Sequence, residues 1–152
     1  MNPERSQSVE EKVSAISDQV DKNRRSGSWR ISNNLSTSFY YALKGIGYGF
    51  LSQRNFRIQV CLGTFTFLLG LWLQLNLIQL TIIVFTVALV LILELINTAI
   101  EAAVDLAIGR RFHPLARIAK DCAAGAVLIA AMSSVLVAIL LLLPQLLIRF
   151  GI

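Results

Sequence analysis

Apolar residues run along this chain in long charge-free stretches broken by short polar segments. No Asp, Glu, Lys, Arg or His occurs at residues 58–93 or at residues 122–148. A helix needs about 20 apolar residues to cross a bilayer. The first stretch is long enough for two crossings and the second for one. A polar turn, Gln74 to Gln79, divides the first stretch. The pattern predicts spans at about 57–73, 80–107 and 121–147. Upstream, Leu35, Phe39, Leu43, Ile46 and Phe50 recur at steps of three and four, the spacing of one helix face. Residues 35–56 are therefore expected to form an amphipathic helix in the membrane surface. Residues 1–34 are rich in Ser, Asn and charge and are expected to be a mobile N-terminal segment. Val9, Val13, Ile16 and Val20 allow a loose helix over 8–22. The expected fold is all-α and integral to the membrane: three transmembrane helices plus an N-terminal amphipathic surface helix, in one domain over 35–152. Helices satisfy their own backbone groups, as a lipid environment requires.

Composition supports the membrane reading. Of 152 residues, 55% are hydrophobic and 15% charged, with mean hydropathy +0.65; soluble domains carry about 25% charged residues. The first 30 residues hold scattered charges and no apolar core of a signal peptide. The formal charge is +5, and from residue 22 onward 12 basic residues face four acids: Glu94, Glu101, Asp105 and Asp121. Many of the basic residues flank the apolar stretches. Arg54 and Arg57 precede the first span, and Arg110, Arg111, Arg117 and Lys120 lie between the second and third. The 74–79 turn is uncharged. By the positive-inside rule the N-terminus and the 108–120 loop are expected in the cytoplasm. No basic groove pattern accompanies the charge, so no nucleic-acid partner is expected. Cys61 and Cys122 fall in or beside apolar helices, without metal-type spacing. Cys122, Ala126, Ala130 and Ser134 form a small-residue stripe that permits close helix contact, within or between subunits.

The chemistry concentrates at the end of the second span. In ELINTAIEAAVDL (94–106), Glu94, Asn97, Glu101 and Asp105 follow one another at steps of 3, 4 and 4. That spacing puts them on one stripe of a helix. Acids inside a membrane helix are costly, and mark function unless they merely pair with cations of other helices. At about 1.5 Å per residue, Glu94 lies roughly 21 Å and Glu101 roughly 31 Å beyond Leu80. Across a core of about 30 Å, Glu94 can meet an apolar substrate and Glu101 a charged one. This suits phosphoryl transfer to a lipid hydroxyl. Glu94 would accept the proton. Glu101 would hold Mg²⁺, which takes one or two carboxylates beside phosphates and water. Lys120 would offset phosphate charge or serve as a snorkelling anchor. His113, before Pro114, reads as a surface or capping residue or a ligand. Gly45, Gly47 and Gly49 cost the surface helix about 1 kcal/mol each relative to Ala, and allow either close packing or a nucleotide's approach. There is no Gly-x-x-x-x-Gly-Lys loop and no soluble-kinase signature.

These residues, with FHPLARIAKDCAAGAVLIAA (112–131), closely resemble the prokaryotic diacylglycerol kinase family, including its undecaprenol kinase branch. The resemblance covers about residues 35–148, and the wording of 94–131 looks nearer to that branch. It implies a homotrimer of three-span subunits in the bacterial cytoplasmic (inner) membrane, with the N-terminus cytoplasmic. It also implies ATP- and Mg²⁺-dependent phosphorylation of diacylglycerol or undecaprenol at sites between subunits. Glu94 matches the proton acceptor and a substrate contact. Glu101 matches a ligand of metal and ATP. Asn97 and Asp105 match polar residues supporting the site. Lys120 and Asp121 match ATP contacts. Tyr41 and Lys44 match the surface-helix segment whose tyrosine contacts ATP. Arg111, Phe112 and His113 match the loop over the nucleotide, which looks one residue longer here than in the diacylglycerol kinase branch.

One departure stands out. The family's second metal-binding Glu, on the surface helix, is replaced by Gln53 in SQRNF. An amide oxygen can coordinate Mg²⁺ without contributing charge, so the expected metal set is Glu101 with Gln53. Gln53 is also the one feature favouring a catalytically idle lipid-binding relative or scaffold. A small proton or ion conductor using the same acids is a third reading; proton flux without ATP would distinguish it.

Overall fold

A computed structural model describes residues 35–109 and 111–151. Among these the chain forms four helices and no strand: α1 (Leu35–Ser52), α2 (Arg54–Trp72), α3 (Leu77–Ile108) and α4 (Pro114–Phe150). The loose helix expected over 8–22 lies outside the described residues. The chain divides into two compact units, Met1–Ala42 and Leu43–Ile152. The candidate chemistry other than Tyr41 lies in the second.

The helix boundaries correct several expectations. The helix expected at the membrane surface does not run to residue 56. It stops at Ser52, and the extended Gln53 (φ −100°, ψ 115°) separates it from α2. Arg57 stabilises the break by donating from Nη1 to the carbonyls of Leu51 (3.0 Å) and Phe50 (3.4 Å), which the end of α1 leaves without helical partners. The polar turn is also shorter than 74–79. Asn76 and Gln79 form a capping box, in which the Gln79 N–H donates to Asn76 Oδ1 at 2.9 Å and the Asn76 N–H donates to Gln79 Oε1 at 3.1 Å. That reciprocal pair starts α3 at Leu77 rather than at 80. The last helix begins at Pro114 rather than 121. Proline is preorganised for the first helical position, and the Leu115 N–H donates to His113 Nδ1 at 3.2 Å, making His113 the N-cap.

Two helices, α3 with 32 residues and α4 with 37, are long and apolar enough to cross a membrane. In α2 the polar Arg54, Asn55, Arg57 and Gln59 occupy the first two turns, which lowers its apolar content. Within the second unit α3 packs most extensively on α4 and next on α2. Buried apolar side chains are few: Phe56, Leu73, Leu75, Ile83, Val90, Ala116, Val127 and Ala130. Most large apolar residues of the helices face outward, as expected where lipid is the solvent. At the far end of the unit the Arg149 guanidinium lies 4.3 Å from the centroid of the Trp72 ring, joining the end of α4 to the end of α2.

Gly63 sets the approach of α2 to α3. A Cβ there would collide with the Val87 side chain, whose β-branch leaves it little rotamer freedom. Overpacking a tight contact costs about 1–3 kcal/mol. Gly63→Ala is therefore expected to lower the thermal midpoint in detergent, and an unchanged midpoint would show that Val87 can yield. The α2–α3 turn holds the opposite case. Gln74 adopts φ 58°, the left-handed conformation that favours glycine at a helix C-terminus. Such backbone costs a side-chain-bearing residue about 1–3 kcal/mol. Gln74→Gly should raise the thermal midpoint; a fall would mean that the Gln74 side chain contributes more than its backbone costs.

Candidate active site

The polar stripe of α3 is present as the spacing requires, and burial varies along it. Glu94 is 3% exposed and is the most buried charged side chain among the described residues. One turn on, the Thr98 hydroxyl donates to the Glu94 carbonyl at 2.9 Å, so its polarity is satisfied within the helix. Asn97 donates from Nδ2 to Glu101 Oε1 at 3.1 Å, which orients the half-buried Glu101 carboxyl. Asp105 is exposed near the end of the stripe. The side chains thus pass from apolar surroundings at Glu94 to water at Asp105 over about three helical turns.

Asp105 meets α4 through Lys120. Lys120 Nζ and Asp105 Oδ1 are 2.5 Å apart, an ion pair bridging the two helices on either side of the 109–113 loop. Arg117 and Asp121 form a second, exposed pair one turn apart on α4, at 3.6 Å. These four residues share a cleft with Arg111, Phe112 and His113, with about 800 Å³ of open space. Most of the predicted nucleotide contacts are therefore gathered at one end of the α3–α4 pair. Gly109, at φ 61°, lets the chain turn there.

Other predicted residues are placed differently. Gln53 sits at the α1–α2 break, where its side chain makes no capping bond. Lys44 is exposed on α1. Tyr41 belongs to the first unit, where its ring meets that of Tyr40 edge-on, with centroids 5.6 Å apart. Of the three glycines on α1, only Gly49 is packed: Leu95 of α3 lies across it, while Gly45 and Gly47 have open space around their α-carbons.

The donors fit a hard divalent cation such as Mg²⁺. Glu101 supplies a carboxylate, and Asn97 Oδ1 is buried without a hydrogen-bond partner. Oxygen donors of this kind suit Mg²⁺. Among the described residues no three of His, Cys, Asp or Glu gather closely enough to hold an ion. The ion would need further oxygens from a bound phosphate and water.

Sequence reading missed Gln59. Its side chain is the hydrogen-bonding neighbour of the Glu94 carboxyl. The available signal was a single amide in the charge-free run of 58–72. Arg117, read only as a marker of orientation, also lines the charged cleft.

The sequence profile of prokaryotic diacylglycerol kinases matches residues 40–142. The chain is 49% identical over 123 residues to a diacylglycerol kinase of Synechocystis sp., covering 81% of this chain and 70% of the relative. It is 39% identical over 114 residues to the undecaprenol kinase of Bacillus subtilis, covering 75% and 92%. It is 34% identical over 96 residues to the diacylglycerol kinase of Escherichia coli K12, covering 63% and 78%.

Proposed function

The chain belongs to the prokaryotic diacylglycerol kinase family, and from that membership we propose that it transfers the γ-phosphoryl group of ATP to the primary hydroxyl of a membrane lipid alcohol. The observation that carries this reading is the graded stripe of α3. It joins a buried carboxyl, Glu94, to a charged cleft lined by Arg111, Arg117 and Lys120, whose cations suit the phosphates of a nucleotide. Diacylglycerol and undecaprenol both offer such a hydroxyl, and relatives named for each substrate match the chain.

In this reading Glu94 takes the hydroxyl proton as the alcohol oxygen attacks the γ-phosphorus. The bond to the bridging oxygen breaks and ADP leaves. Lys120, with Arg111 and Arg117, would offset charge on the phosphates; positioning and electrostatics supply most of the catalysis in such transfers. A phosphate must compete with Asp105 for Lys120. Mg²⁺, when bound, would neutralise phosphate charge, with Glu101 and Asn97 as its protein donors and Gln53 as a further candidate. Asp121, His113, Phe112, Tyr41 and Lys44 are proposed nucleotide or substrate contacts.

The reading also includes a third crossing by α2. The turn between α2 and α3 is short and the two helices pack together, the arrangement of antiparallel neighbours. A helix packed alongside a spanning helix would cross with it. The basic loop after α3 supports placing the N-terminal side and the cleft in the cytoplasm, at a bacterial inner membrane. The outward-facing apolar surfaces of α3 and α4 accord with lipid or with a homotrimer.

The deciding assay offers diacylglycerol and undecaprenol in parallel, in mixed micelles with labelled ATP and Mg²⁺. A labelled lipid is expected and names the substrate. ATP binding by folded protein without lipid product would instead favour the idle relative, for which Gln53 is the supporting feature.

A further inference from the structure

The charge-free run of α2 contains one amide, Gln59, and its surroundings are unusual. It is the hydrogen-bonding neighbour of Glu94, which is 3% exposed. Its Oε1 is buried and has no hydrogen-bond partner. The same side chain heads a largely apolar groove between α2, α3 and α4, lined by Leu62, Val87, Val90 and Val135. Thr66, further along the groove on α2, donates its hydroxyl to the Leu62 carbonyl at 2.8 Å. Gln59 Oε1 thus remains an unused acceptor beside the carboxyl that is to receive a proton. A buried acceptor left unsatisfied costs about 1–3 kcal/mol, a cost that a donor met elsewhere in the reaction cycle would offset.

The chemistry of the pair suggests that role. An ionised carboxyl only accepts hydrogen bonds, whereas a protonated one also donates. A lysine neighbour would serve the ionised form alone, and an apolar neighbour would serve neither. A primary amide carries two donors and a strong acceptor on one planar group. Its terminal torsion is broad, so rotation can exchange one end for the other.

We propose that Gln59 is a positioning residue that holds Glu94 in both of its protonation states. Its N–H groups donate to the carboxylate before phosphoryl transfer, and its free Oε1 accepts from the carboxylic acid afterwards. This deepens the kinase reading and rests on it. During the step the alcohol proton passes to Glu94 and the alcohol oxygen bonds to the γ-phosphorus. The bond from that phosphorus to the bridging oxygen breaks, and its electron pair leaves with ADP. Glu94 then returns its proton to water. Gln59 forms no covalent bond; it keeps the carboxyl aimed throughout.

The test compares wild type with Gln59→Leu and Gln59→Met, two apolar side chains of similar size, in the full-length protein. For both, kcat should fall about 10- to 100-fold with KM for ATP and lipid within about twofold, the pattern of an interaction that matters in the transition state. The solvent deuterium isotope effect on kcat should rise as proton movement becomes limiting. The isotope-edited infrared bands of Glu94 should shift in both variants, a readout that needs no turnover. Unchanged kcat and unchanged bands would overturn the proposal. So would a fall in kcat accompanied by raised KM, lowered thermal stability and no isotope effect, which marks a packing role. If wild type phosphorylates no lipid, the kinase reading fails and the proposal fails with it. An active wild type with unaffected Gln59 variants overturns the proposal alone.

Discussion

Glu94→Gln is expected to abolish lipid phosphorylation while leaving ATP binding in place. The substitution keeps the size and shape of a side chain that is 3% exposed, so packing around α3 is retained. An amide at 94 can still hydrogen-bond Gln59. The variant loses the capacity to accept a proton from an alcohol. General-base catalysis contributes about 10²–10⁴ in rate, and turnover should fall by at least that factor. Nucleotide affinity should stay within about twofold, since the charged cleft lies about two or three turns further along the helix. The two measurements are lipid phosphorylation in mixed micelles and titration with a fluorescent ATP analogue. Retained turnover would remove Glu94 as the base. Loss of nucleotide binding would place it in the ATP site instead.

Glu101→Gln should act through the metal. Glu101 is the half-buried carboxyl of the stripe, oriented by Asn97 at 3.1 Å. Its replacement by an amide removes a negative charge from a site with few protein donors. The Mg²⁺ concentration for half-maximal rate should rise about 10- to 100-fold, the scale seen when groups supporting a metal are lost. Gln53→Glu is the companion variant. If the Gln53 side chain reaches the ion, adding its charge should lower the Mg²⁺ requirement and partly offset Glu101→Gln in the double variant. An unchanged Mg²⁺ curve in Glu101→Gln would remove that residue from the metal. An unchanged curve in Gln53→Glu would show that the α1–α2 break does not face it. Effects that simply add in the double variant would mean that the two positions act independently.

Much of this site is written in local order. Glu94, Asn97, Glu101 and Asp105 share a stripe because an α-helix repeats every 3.6 residues, and nothing beyond helix formation is needed to align them. The long charge-free runs likewise identify α3 and α4, since crossing a bilayer takes about 20 consecutive, predominantly apolar residues. The break at Gln53 was less legible, because helix continues on both sides of it and no proline or glycine marks the position. The long-range donation from Arg57 to the end of α1 accompanies that break. The start of α4 at Pro114 had a sequence signal, the His-Pro pair, but the run of charges after it drew the expected boundary to 121.

The sequence by itself therefore determined the helical class, the apolar runs, the order of the polar stripe and the family. These depend on periodicity, hydropathy and motif, which are properties of neighbouring residues. Only the tertiary structure decided the pairings between helices. Lys120 meets Asp105 across fifteen residues, Gln59 meets Glu94 across two helices, and Gly63 accepts Val87. Each depends on the rotation and depth of one helix against another. Those quantities come from the summed packing of many side chains, and no local pattern encodes them.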